Sequence, residues 1–190
     1  MSEARERLLA AAVEHIAHGG ADQSLRALAD TIGTSHRMLI YHFGSRKGLL
    51  TAVAREVERR QRAALDDLDP GLPPAEAARA FWRRLTDEAL RHNEKLFFQL
   101  YGQALGGTPA TAEFLDRVIT GWLPPLEALL ARFGVPEPDR AAQARLGLAV
   151  ARGLLLDLVT TGDRAAVDAA MEQFLLGYAP GRAAPAQHRH

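Results

Sequence analysis

Apolar positions recur along this chain every three to four residues, and no segment sustains the two-residue alternation of a strand. Leu8, Leu9, Ala12, Val13 and Ile16 form one such stripe, which predicts an amphipathic helix closed by Gly19-Gly20. A second, shorter helix starts at Ser24, turns Leu28, Ala29 and Ile32 inward, and stops at Gly33. Thr34 or Ser35 caps a third, which runs to about Phe43. Gly44-Ser45 then breaks the chain and re-caps a longer helix from near Arg46 to about Leu65. Asp69-Pro70-Gly71-Leu72-Pro73-Pro74 reads as a loop whose last prolines can open the next helix. Further helices are predicted at about 75–92, 94–105, 110–133, 137–161 and 163–178. Gly106-Gly107-Thr108-Pro109, Gly134-Val135-Pro136 and Thr161-Gly162-Asp163 separate them. Trp122-Leu123-Pro124-Pro125 should kink or divide the helix that contains it, because proline lacks an N–H and clashes with the preceding turn. The expected fold class is all-α.

Composition narrows the setting. The chain lacks cysteine, so disulfides and thiolate metal sites are excluded. The N-terminal run has charges where a signal peptide has an apolar core, and no apolar run approaches the roughly 20 residues of a membrane span. A cytoplasmic location with no membrane partner is expected. The formal net charge of zero hides an asymmetry. Residues 1–62 carry ten Lys/Arg and seven Asp/Glu, a net of +3, so the remaining 13 Lys/Arg and 16 Asp/Glu give −3. That permits a basic face at the front of the chain and repulsion from polyanions behind it.

The third predicted helix concentrates the chemistry. At 100° per residue Leu39 and Phe43 share one side, where Leu28, Ile32 and Ile16 can meet them. Arg37 and Tyr41 face the other way, flanked by Met38 and Ile40. Two short helices joined by a tight turn at Gly33, the second displaying Arg, Tyr and His, describe a helix-turn-helix. In that motif the second helix enters the DNA major groove. Arginine can fork onto guanine, and the start of the next helix at Ser45-Arg46-Lys47 offers free N–H groups and two cations to a phosphate.

Residues 5–55 resemble the DNA-binding domain of the TetR family, the tetracycline-repressor-like regulators. The resemblance is carried by the amphipathic first helix, by SLRALADTIG and by IYHFGSRKGLL. It implies a DNA-binding domain at 1–46, a larger helical ligand-binding and dimerisation domain at 47–179, and a disordered tail at 180–190. By motif position Arg26, His36, Arg37 and Met38 are implied on the base side of the interface. Ser24, Thr34, Ser35, Tyr41, His42, Arg46 and Lys47 complete the DNA-contacting set, mostly on the backbone side. Two positions depart from the family pattern. Ile40 stands where a tyrosine is common, which leaves more phosphate contact to Tyr41 and His42, and Arg46 stands where a lysine is common.

The expected function is that of a transcriptional regulator, a repressor that binds a palindromic operator of double-stranded DNA as a homodimer and is released by a small, mostly apolar effector. Ten of the twelve aromatic residues lie beyond residue 80. Trp82, Leu85, Phe97, Tyr101, Phe114, Val118 and Trp122 are therefore candidates to line the effector pocket. The last two predicted helices carry more apolar surface than one buried stripe needs, and the family pairs them with a second copy. Leu146, Ala149, Val150, Gly153, Leu156, Val167 and Phe174 are the candidate dimer contacts. No HExxH, Gly-rich phosphate loop or GxSxG occurs, so no catalytic residue, cofactor or metal is assigned. A helical protein-interaction adaptor and a small helical enzyme remain the alternatives.

Overall fold

A computed structural model of the protein describes residues 2–18, 22–69, 71–105 and 118–178, apart from the side chains of residues 64, 66, 103 and 104. The predicted stop at Gly19-Gly20, the separator at residues 106–109, the first part of the predicted 110–133 helix, Phe114 and the tail from residue 180 lie outside the described residues. Secondary structure among the described residues is helical. The chain divides into two compact units, residues 1–64 with 87–119, and residues 65–86 with 120–190.

The first unit begins with α1 (Glu3–Ala17), capped by the Ser2 hydroxyl, which accepts from the Arg5 amide. Its stripe of Leu9, Ala12, Val13 and Ile16 is buried, as the periodicity predicts. Helices α2 (Leu25–Thr31), α3 (His36–Phe43) and α4 (Arg46–Asp66) follow. Leu28 and Ala29 from α2, Leu39 from α3, and Leu49 and Val53 from α4 join one apolar cluster. That cluster also takes in Leu96, Phe97 and Leu100 of α6 (Arg91–Leu105) and Val118. Gln61 of α4 donates to the Glu94 carboxylate of α6, which ties the two helices together at their polar edge. The core under the short N-terminal helices therefore extends well past residue 46.

One predicted element is divided in the structure. Instead of a helix over 75–92, α5 (Pro74–Leu85) stops early, a 3-10 turn spans Glu88–Leu90, and α6 starts at Arg91. The cause is local. Thr86 is buried and turns its hydroxyl back to the Trp82 carbonyl at 2.9 Å, while the Asp87 carboxylate accepts from the Ala89 amide and caps a new start. No glycine or proline marks the site.

In the second unit α5 packs on α7 (Leu123–Arg132), and α8 (Glu137–Thr161) packs on both α7 and α9 (Arg164–Leu176). Pro124 and Pro125 occupy the first turn of α7, with residues 118–120 helical before them, so the proline pair divides this helix as expected. Polar ties join α5 to α9. The nearly buried Trp82 indole donates to the Asp168 carboxylate at 2.7 Å, Arg164 donates to the same carboxylate at 2.8 Å and to the Thr86 carbonyl at 2.6 Å, and Arg79 pairs with Glu172 at 2.8 Å. Asp168→Ala would leave the indole N–H without its acceptor. We expect a loss of about 1–3 kcal/mol of stability, measured by urea unfolding, whereas Glu172→Ala at a more exposed pair should cost under about 1 kcal/mol.

Candidate nucleic-acid interface

The geometry of the α2–α3 pair follows from its caps. Ser24 accepts from the Ala27 amide at 3.2 Å, and Ser35 accepts from the Met38 amide at 3.2 Å, so each helix starts on a hydroxyl. Between them Gly33 takes φ of 72°, a left-handed conformation that closes α2 through its amide to Asp30 and through Thr34 to the Ala29 carbonyl at 2.9 Å. Gly48 is needed for a different reason. A side chain there would run into the Phe43 carbonyl, so its absence lets the first turn of α4 approach the end of α3.

Leu39 is fully buried and Phe43 half-buried against the core, which leaves the opposite side of α3 to solvent. His36, Arg37, Met38, Ile40 and Tyr41 are exposed there, Tyr41 at 79%. Arg26, His36, Arg37 and Lys47 are exposed and make no hydrogen bond or ion pair with other described residues. By contrast, Arg59 and Arg60, though exposed, are paired with Glu56 on the same helix. The Arg59 hydrogen bond, with help from Arg60, holds the Glu56 carboxyl below its ordinary range.

Other candidates have structural duties. Arg46 donates from Nε to the Gln23 carbonyl at 2.9 Å, and the Gln23 side chain meets His15 Nε2 at 3.0 Å. Arg46 therefore anchors the start of α4, and Lys47 is the more open cation of the two. Ser24, Ser35 and Thr34 serve the helix ends, although a capping hydroxyl keeps its own proton to donate to a phosphate. His42 is half-buried, packs edge-on to Tyr41 and Phe43, and has its Nε2 shielded without a partner among the described residues.

One contributor escaped the motif reading. Arg5 of α1 donates from Nε to the His42 carbonyl at 3.4 Å and lies 5.0 Å over the Phe43 ring. It fixes the end of α3 from the neighbouring helix. The signal was available: Arg5 precedes Leu9, Ala12 and Ile16 at helical spacing, on the inward stripe.

The family model described as "Bacterial regulatory proteins, tetR family" matches residues 8–53, the stretch from α1 into α4 that builds this interface. The HTH-type transcriptional regulatory protein RaaS of Mycobacterium tuberculosis is 39% identical over 71 residues, 35% of this chain and 34% of that protein. The match thus spans about a third of the relative's length. A solved transcriptional regulator from Rhodococcus sp. Rha1 is 26% identical, with a TM-score of 0.71 over 91% of this chain and 96% of its own. Residues 8–53 thus match the DNA-binding region of the TetR family. The multidrug binding protein EbrR, solved with imidazole, is also 26% identical, with a TM-score of 0.62 over 97% of this chain and 94% of its own.

Six of the seven candidate pocket residues, all but Phe114, are among the described residues. Phe97, Tyr101 and Val118 belong to the first unit, where the Phe97 and Tyr101 rings lie 5.8 Å apart. Trp82, Leu85 and Trp122 belong to the second, where Trp122 lies 6.0 Å from Phe81.

The candidate dimer residues divide as well. Leu146, Ala149, Gly153 and Leu156 are all exposed, and their 3-4-3 spacing puts them on one stripe of α8, with Val150 half-buried beside them. Val167 is only 1% exposed and faces the unit's own core with Met171 and Leu175. Phe174 is half-buried and packs edge-on to Tyr178, with ring centroids 5.4 Å apart. The open positions of α9 are instead Ala165, Ala166, Ala169, Ala170, Gln173 and Leu176. No helix among the described residues is long and apolar enough to cross a membrane.

Proposed function

We propose that this protein is a TetR-family regulator that binds double-stranded DNA as a homodimer, represses transcription from a palindromic operator, and is released by a small, mostly apolar effector. The observation that carries the DNA reading is the outer face of α3. Arg37 and Tyr41 stand exposed on a helix held from behind by Leu39, and Lys47 stands exposed in the first turn of α4. An arginine on such a face can fork onto guanine, while a lysine beside open helix N–H groups suits a phosphate.

One α3 reads only a few base pairs, and a two-fold dimer places two such helices about 34–36 Å apart on successive grooves. The exposed Leu146–Ala149–Gly153–Leu156 stripe of α8, with the alanine face of α9, supports pairing with a second copy, because two small residues four apart let helices approach closely. The effector reading is supported by two aromatic clusters, Phe97–Phe98–Tyr101 and Phe81–Trp122, and by the similarity to a multidrug binding protein. The effector would act by population shift, binding best to dimers whose α3 helices are wrongly spaced for DNA.

Arg37→Ala and Lys47→Ala should separate the two kinds of contact. Measured by fluorescence anisotropy on a duplex selected from a randomised pool, Arg37→Ala is expected to lose about 1–3 kcal/mol of discrimination per half-site with little change on unselected DNA. Lys47→Ala should weaken both duplexes alike and lower the salt slope by about one phosphate per protomer. Equal effects of the two variants on both duplexes would remove the distinction between reading and gripping.

A further inference from the structure

Helix α3 spends apolar side chains on its outer face. It has eight residues, of which only Leu39 is buried, with Phe43 packed partly against the core. Met38 and Ile40 take no part in that core, and each is 39% exposed. Of the seven large exposed hydrophobic residues among those described, three (Met38, Ile40 and Tyr41) fall within four consecutive positions. Single surface hydrophobics need no explanation, but a concentration on one short helix does. Tyr41 carries a polar hydroxyl that can reach a phosphate or base, whereas Met38 and Ile40 offer only apolar contact.

Their placement says what they meet. At 100° per residue Met38 and Ile40 lie on opposite flanks of the line joining Arg37 to Tyr41. Around them stand exposed His36, Arg37 and Lys47, with no exposed carboxylate on α3 itself. A surface of that charge complements a polyanion rather than another protein's apolar groove. On the floor of a major groove the apolar group presented by a base pair is the C5-methyl of thymine.

We infer that Met38 and Ile40 are specificity-determining residues that pack on thymine 5-methyl groups of the operator, one on each side of the base or phosphate held by Arg37. This inference rests on the proposed entry of α3 into a major groove and adds the class of base that the helix selects. Sites bound by this protein then hold thymines at positions related by the dyad, and affinity there depends on a methyl group rather than on a hydrogen bond. Ile40, out of pattern for its family, becomes a reader instead of a phosphate contact.

The test removes the methyls and nothing else. The full chain selects duplexes from a randomised pool, and the tightest is resynthesised with deoxyuridine in place of every thymidine. Burying one methyl is worth about fourfold in affinity, so two per half-site, four per dimer, predict binding of the deoxyuridine duplex by the wild-type protein that is weaker by about 10²-fold. In the Met38→Ala/Ile40→Ala double variant the two duplexes should bind within about twofold of each other. Circular dichroism of that variant should match the wild type, since neither side chain contributes to the core. Wild-type binding indifferent to the methyls overturns the inference while leaving the DNA reading intact, and so does a double variant that keeps the wild-type ratio. Selection of no duplex at all would remove the DNA reading and this inference with it.

Discussion

Leu39→Ala should destabilise the N-terminal unit by about 2–5 kcal/mol, the largest single effect expected from any residue of the candidate interface. Leu39 has no exposed surface, and it is the only fully buried residue of an eight-residue helix. A helix of two turns has little stability of its own, because nucleation is costly and few hydrogen bonds repay it. Its position therefore depends on the apolar anchor beneath it and on the caps at its ends. Truncation leaves a cavity among Leu28, Ala29, Leu49 and Val53, members of the same cluster. Urea unfolding followed by circular dichroism would give the loss, and duplex binding should fall with it even where the variant is still folded. Leu39→Met, which keeps the volume, should cost less than about 1.5 kcal/mol and retain binding. A change below about 1 kcal/mol for Leu39→Ala would mean that α3 is held by something other than its core contact.

Leu156→Glu should convert the protein from a dimer to a monomer and reduce its affinity for a selected duplex by about 10²-fold or more, the avidity lost when two half-sites are no longer read together. Leu156 is 48% exposed in the protomer and Leu146 49%, so a carboxylate at 156 disturbs little of the protomer's own packing. Across a two-fold axis each new charge would face a patch identical to its own, now acidic where it had been apolar. Sedimentation equilibrium reads the outcome directly. Val167→Glu is the contrasting variant. With 1% exposure it should unfold the second unit rather than dissociate an intact protomer. A Leu156→Glu protein that stays dimeric would place the pairing surface elsewhere.

How far the chain could be read without coordinates depended on whether a local signal existed. Helix α8 matches its predicted span of 137–161 because Pro136 precedes its start and Gly162, at φ 74°, ends it. Ser24 and Ser35 marked the starts of α2 and α3 for the same reason, a side chain whose capping chemistry is strongly positional. The break between α5 and α6 carries no such mark, since Thr86 and Asp87 end and restart helices by hydrogen bonds that depend on their surroundings. Packing partners were also beyond reach. Periodicity tells that Leu96, Phe97 and Leu100 share an inward face, but not that this face closes the core beneath the N-terminal helices. On α9 the larger residue misled. Val167 looked like an interface contact because it is apolar, yet its size suits the core, and the small alanines are what the helix leaves open. Arg5 is legible from its place on the apolar stripe of α1, where a charge must find a partner within the fold.

The central claim is that the outer face of α3, with the first turn of α4, is built for the DNA backbone and groove. Its most direct test is the binding of the full chain to a selected duplex as salt is raised. Measurable binding is expected at low salt, with a fall of about 10³-fold or more between roughly 50 and 200 mM and log affinity linear in log salt, as when six or more phosphates are neutralised per dimer. Affinity that is flat across that range, or no duplex bound even at the lowest salt, would contradict it.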